Sequence, residues 1–130
     1  MDMAALWAGE ALFPCEEDRA LFRVFYLWLM ECFPDARAVP QKSQVSFCGK
    51  GPFCAVIPPG RWGQKSGIGL SIFLDERLEN PEFLHIVNPY PNRYTHHMIL
   101  TVPSQMDGVL KGFLEKAWQF KMRTGRGKQP

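Results

Sequence analysis

The stretch RYTHHMILTV, residues 93–102, alternates in polarity and sets two of the chain's three histidines side by side. Such alternation marks a strand with one face in a core, because successive strand side chains point to opposite faces. Tyr94, His96, Met98, Leu100 and Val102 form the more apolar face, and Thr95, His97, Ile99 and Thr101 form the other. The adjacent histidines therefore serve different surroundings. His96 is expected at the core edge, satisfied by a backbone carbonyl or a hydroxyl, while His97 is left on the face that a ligand can reach.

Working outward, three further strand signals precede this one, separated by turn chemistry. QVSFC (44–48) ends at Gly49-Lys50-Gly51-Pro52. PFCAVI (52–57) stops at Pro58-Pro59-Gly60. GIGLSIFL (67–74) follows the loop RWGQKS and puts Ile68, Leu70, Ile72 and Leu74 on one face. The segment 75–93 lacks a period and reads as irregular, with one helical turn around 82–86. On the N-terminal side, Glu16-Glu17-Asp18 opens a helix that runs to Pro34, the carboxylates suiting the positive end of the helix dipole. After Pro103, Ser104 and Asp107 have the spacing of a capping box. The helix that follows carries Met106, Val109, Leu110, Phe113, Leu114, Ala117 and Phe120 inward, with Lys111, Glu115 and Lys116 outward. The order predicts an α+β domain: an antiparallel sheet of about four strands with an N-terminal and a C-terminal helix on one face. Residues 1–15 are a lead-in, 16–122 the domain, and 123–130 a disordered basic tail.

At 130 residues, 46% hydrophobic and 22% charged, the chain suits one domain with a real core and no need of staples. The net charge of +2 is unevenly spread. Residues 1–36 hold seven acids against two arginines, a net −5, which leaves +7 for the remainder. A solvated acidic helix start and a basic tail account for that asymmetry more simply than a nucleic-acid surface does. Cys15, Cys32, Cys48 and Cys54 contain no CxxC pair, so no zinc site is expected, and free thiols in a reducing cytoplasm are the reading. Cys48 and Cys54 flank a turn that brings neighbouring strands together. No apolar run reaches the roughly 18 residues of a membrane span, and the N-terminus lacks the basic start of an export signal. No phosphate-binding glycine motif is present, so nucleotide binding by those routes is unsupported.

The same alternation assigns the second face of the other strands: Gln44, Ser46 and Cys48, then Gly67, Gly69, Ser71 and Phe73. Glycines in a strand often mark close approach by another group. A pairing of His97 with Ser46, Ser71 or Cys54 has the parts of nucleophilic catalysis but no elbow motif or orienting acid. A metal site from His85, His96 and His97 fails, because adjacent strand residues diverge. The loop PPGRWGQKSG offers Arg61, Trp62 and Lys65 among glycines, in reach of a phosphate or a stacked base. Solvated basic residues in a hairpin loop are the plainer account.

KSQVSF (42–47), FCAVI (53–57), RYTHH (93–97) and a helix bearing LEKAW together resemble a small bacterial domain family of unknown function. Some longer relatives are labelled a predicted transport protein. The resemblance spans roughly residues 16–121 and implies a shared fold with no settled activity. It marks Lys42, Gln44, Ser46, Arg93, Thr95, His96 and His97. Some relatives join the domain to a cysteine-rich zinc segment; the cysteines here do not follow that pattern, and no cofactor or metal is carried over. The expected function is a cytoplasmic binding module, more readily non-enzymatic than enzymatic. Its polar groove of Lys42, Gln44, Ser46, Thr95 and His97 would receive a polar or anionic ligand or a partner segment, with Arg61, Lys65 and Arg93 at the rim. The alternatives are a hydrolase with His97 as general base, and a weak nucleic-acid binder using the basic C-terminal half with Trp62 and Tyr90.

The first helix carries apolar residues nearly all round, from Leu21 to Phe33. One sheet buries only one stripe of such a helix. Residues 5–13 are therefore expected to fold back on it, and a homodimer through Phe22, Tyr26 and Leu29 to bury the rest.

Overall fold

The computed structural model describes residues 2–124. Among these, the helices are α1 (Met3–Glu10), α2 (Glu16–Cys32) and α3 (Gly108–Thr124). The strands are β1 (Arg37–Pro40), β2 (Val45–Cys48), β3 (Pro52–Ile57), β4 (Ile68–Leu74), β5 (Phe83–Tyr90) and β6 (Arg93–Leu100). They form one antiparallel sheet in the order β1-β2-β3-β4-β6-β5. The α+β class stands, but the sheet has six strands rather than about four. Both additions are edges. β1 is four residues long and ends on Pro40, too short to display a period. β5 breaks its alternation at two register shifts, between Phe83 and His85 and between Val87 and Tyr90. The residues read as a helical turn at 82–86 are mostly strand.

One face of the sheet is the core. Reading across β2, β3, β4 and β6, one row holds Val45, Val56, Leu70 and Met98, and the next Phe47, Cys54, Ile72 and His96. All eight are buried. The helices cover these rows: the rings of Phe25 and Tyr26 on α2 stand 6.0 and 5.9 Å from that of Phe47, and Phe113 on α3 stands 5.1 Å from Phe83. A register shift between Phe47 and Cys48 turns Phe53 to the same side, 5.2 Å from Phe33 and 5.1 Å from Trp118. Each such side chain contributes about 1.5–3 kcal/mol when fully buried.

The N-terminus folds back as its apolar residues require. Asp2 caps α1, accepting the Ala5 N–H at 3.0 Å, and its carbonyl accepts the Tyr26 hydroxyl at 3.0 Å. Phe13 lies 5.7 Å from Phe22. Gly9 lets the helices touch, because a Cβ there would sit 2.3 Å from the Phe22 ring. Phe22, Tyr26 and Leu29 are consequently fully buried within the chain. Phe13 and Gly9 pack on Phe22, Asp2 holds the Tyr26 hydroxyl, and Tyr26 also meets Phe47 of the sheet, so these three residues leave no exposed patch of their own.

Two details differ at the last helix. Pro103–Gln105 forms a 3-10 turn, and α3 begins only at Gly108, capped by Asp107, whose carboxylate accepts the Leu110 N–H at 2.9 Å. Ser104 is not the cap, and Val109 points to solvent. α3 continues to Thr124, into the segment read as tail; residues 125–130 lie outside the described part. At the other end of the sheet, the buried Asp18 carboxylate of α2 accepts the Gly67 N–H at 2.8 Å.

Candidate functional site

The opposite face of the sheet carries a row of different chemistry. Val39, Ser46, Ala55, Ser71, His97 and His85 stand in register across all six strands. Ser46, Ala55 and Ser71 are small, so the middle of the row is low. The β1–β2 loop rises at one end. Gln41 accepts the Ser46 hydroxyl at 2.7 Å and the Gln44 amide at 3.1 Å, and that amide also donates to Ser46 Oγ at 3.1 Å. The β3–β4 loop closes the other end. Its short 3-10 turn (59–62) lays Trp62 over Gly69, where a Cβ would meet the indole at 2.8 Å and the Ile57 carbonyl at 2.9 Å. The glycine in the strand is thus the gap the indole fills.

His97 sits under that indole, with ring centroids 4.6 Å apart and planes at 56°. Its Nδ1 is 2.7 Å from Ser71 Oγ, directly across the β4–β6 ladder. Either the hydroxyl donates to a bare Nδ1 and the ring proton resides on Nε2, or Nδ1–H donates to Oγ and Nε2 is bare. In both cases Nε2 is the nitrogen left for a ligand. Burial pushes the His97 pKa down, and the neighbouring His85, 6.3 Å away, adds to the effect, so the ring is neutral at pH 7.

His96 faces the core, fully buried against Phe83 at 4.8 Å. Its Nε2 accepts the Leu78 N–H at 3.0 Å, and the Tyr94 and Ile72 backbone lies near enough to the ring to oppose the lowering of its pKa. The Leu78 bond tethers the β4–β5 loop to the central strand. Nδ1 is buried without a hydrogen-bond partner among the described residues. Burial lowers this pKa too. His96 is thus sealed in the core, where it holds the Leu78 backbone.

The remaining marked residues divide. Thr95 shares the face of His97, one step along β6 and opposite Phe73. Gln44 and Ser46 belong to the far end of the row, three strands from His97 and thus roughly 14 Å away at strand spacing. Lys42 and Lys65 are exposed on their loops, and the Arg61 side chain lies outside the described part. Arg93 turns toward α3, its guanidinium 5.9 Å from the Phe120 ring. Of the five residues expected to form the groove, Thr95 and His97 lie together, and Ser46 stands three strands away on the same face. Trp62, Ser71 and His85 belong with His97 instead. Ser71 was legible from its place on the second face, Gly69 marked only a close approach by some other group, and His85 was hidden in the segment read as irregular.

Other chemistry is restricted. Cys54 points into the core, where burial raises its thiol pKa well above the usual 9.0, so it does not serve His97. It lies opposite Phe47 in the ladder, and all four cysteines are free. Among the described residues no group of three or more His, Cys, Asp or Glu is arranged to hold a metal ion. None of their helices is long and apolar enough to cross a membrane. Concavities lie away from His97: about 710 Å³ between α2 and β1, about 450 Å³ between Phe83, Met98 and the start of α3, and about 870 Å³ between Phe33, Asp75 and α3. None of these contains a side chain of the row.

Compared with known proteins, residues 28–121 match a family model described as Domain of unknown function (DUF5655). The match takes in every strand, including Trp62, Ser71, His85 and His97, and omits α1. No curated protein and no solved structure matches the chain.

Proposed function

The chain belongs to the family described as Domain of unknown function (DUF5655), and since the matched segment holds the whole sheet, we propose that the domain is a non-catalytic recognition module. Its second sheet face takes a small polar ligand, or a short polar segment of a partner, at Trp62 and His97. The observation that carries this reading is the Ser71–His97 bond of 2.7 Å beneath the indole. It fixes the orientation of an imidazole whose pKa burial lowers, and leaves Nε2 to donate or accept as its tautomer dictates. Trp62 supplies a flat apolar wall for stacking, which is how polar ligands gain affinity that hydrogen bonds to water would otherwise cancel. The neutral ring and the distance of Arg93 favour a polar ligand over an anionic one at this place.

A thermal-shift screen of small polar metabolites and short peptides tests it. A ligand at one hundred times its dissociation constant stabilises by about 2.7 kcal/mol. A compound that raises the Tm of the wild type and of neither His97→Ala nor Trp62→Ala supports the reading. A panel that stabilises all three proteins equally removes it.

The Ser71 hydroxyl on an imidazole favours a second reading, a hydrolase with His97 as general base. Against it, Ser71 is only 2% exposed on a central strand, and no carboxylate bonds to His97 among the described residues. Covalent labelling of Ser71 by a fluorophosphonate would establish the hydrolase; intact mass unchanged after prolonged exposure rejects it.

A further inference from the structure

Away from the His97 row, α3 ends in a charge arrangement with no internal explanation. Lys121 lies on the sheet-facing side of the helix and is 7% exposed. Its ammonium stands 4.8 Å from the Phe120 ring centroid and 5.8 Å from that of Phe73. The Arg93 guanidinium stands over the same Phe120 ring at 5.9 Å. Two cations therefore share one aromatic ring, and neither makes a hydrogen bond or ion pair with a described carboxylate. The nearby acids are engaged elsewhere: Asp75 with Arg123 at 2.6 Å, Glu76 near Lys116 at 3.9 Å.

Aromatic faces attract cations weakly, about 0.5–2 kcal/mol each, and neutralise nothing. Enclosing a lysine beside a second positive charge is otherwise unfavourable. The strain is visible in the amine, whose pKa falls from 10.5 to about 8, first through burial and then through Arg93. Lys121 keeps 7% of its surface open to solvent, and Arg93 beside it is exposed. A guanidinium fork and an ammonium with three donors are the complement of an oxyanion carrying two charges.

We infer that Arg93 and Lys121 together bind a phosphate-type dianion beside Phe120, where β6 starts and α3 ends. The site stands apart from the His97 row and does not depend on the recognition reading given above. The dianion brings its negative charge to both cations at once and supplies the counter-charge that the fold omits.

Acylation of lysines at pH 8, mapped by mass spectrometry on the full chain, tests this. Lys121, with a pKa of about 8, carries a large share of free amine at that pH. Bound inorganic phosphate pairs with the ammonium and raises its pKa from about 8, so a one-unit rise slows acylation of Lys121 at pH 8 roughly fivefold. Lys111 and Lys116 should not change, and sodium chloride at equal ionic strength should not reproduce the effect. Arg93→Gln, an exposed substitution that leaves the fold intact, should abolish the protection. Stronger protection by glycerol phosphate than by inorganic phosphate assigns the group to an organic phosphomonoester, and equal protection assigns the free ion. Labelling of Lys121 that phosphate leaves unchanged, or protection that persists in Arg93→Gln, overturns the site. In the second measurement, phosphate should raise the Tm of the wild type and not of Lys121→Met, which keeps the buried stem; equal rises also overturn it.

Discussion

The two faces of the sheet use the same strands to opposite ends. Toward the helices, neighbouring strands present Val45, Val56, Leu70 and Met98; one step along, the other face presents Ser46, Ala55, Ser71 and His97. The first face is closed by three helices and the second by two loops, so the cost of altering each should differ sharply. The contrast is sharpest at the adjacent histidines. His96 is pinned by the Leu78 backbone inside the core, and His97 by a serine hydroxyl beneath a tryptophan. One peptide unit separates a structural imidazole from a candidate functional one.

Adjacent residues of β4 give the largest test of that difference. Leu70→Ala removes a fully buried side chain from the helix face, and should cost about 2–5 kcal/mol in urea unfolding. Ser71→Ala, next along the strand, loses one hydrogen bond and should cost about 0.5–1.5 kcal/mol. Equal losses would mean that the second face is as much a core as the first. Gly67 joins the faces at the entry to β4. Its φ of +94° and the Leu100 carbonyl 2.7 Å from a built Cβ make Gly67→Ala strained, with an expected loss of about 1–3 kcal/mol in the same assay.

A smaller effect comes from pH. Both His96 and His97 have pKa values lowered by burial from 6.5, so the unfolded chain takes up protons before the native one does. Stability is therefore complete above pH 6.5 and falls as pH drops below it toward the native values. His97→Gln should flatten that slope in unfolding curves taken between pH 7 and 5, and a slope that does not change would show that His97 carries no native shift. Smallest in stability is Trp62→Ala, which uncovers the second face without opening the core. It should cost about 1 kcal/mol or less by chemical denaturation, while bringing the His97 pKa back toward 6.5.

Much of this contrast was legible in the sequence because period-two alternation is strong where one face is buried. The pattern in 93–102 separated His96 from His97 and located the four inner strands. It failed where alternation was cut short or broken: at Arg37–Pro40 by length, and at Phe83–Tyr90 by two register shifts. Proximity between Trp62 and His97 was not legible, because it depends on how the β3–β4 loop folds back over Gly69. Nor was the separation of Arg93 from His97, because strand parity assigns a face and says nothing about a terminal side chain that turns to Phe120. The greasy circumference of α2 was read correctly for the lead-in packing. Which residues of α2 stay open was not legible: Phe22, Tyr26 and Leu29 are fully buried, while Val24 and Leu27 are exposed, because a helix apolar nearly all round does not show which stripe meets the sheet.

The most direct measurement is nitrogen-15 NMR of the imidazole and indole side chains during addition of a compound that raises the Tm. The account predicts that the His97 ring nitrogens and the Trp62 indole shift together and saturate at one dissociation constant, while the His96 nitrogens stay unmoved. A stabilising compound that leaves His97 and Trp62 unshifted, or that perturbs His96 first, would contradict it.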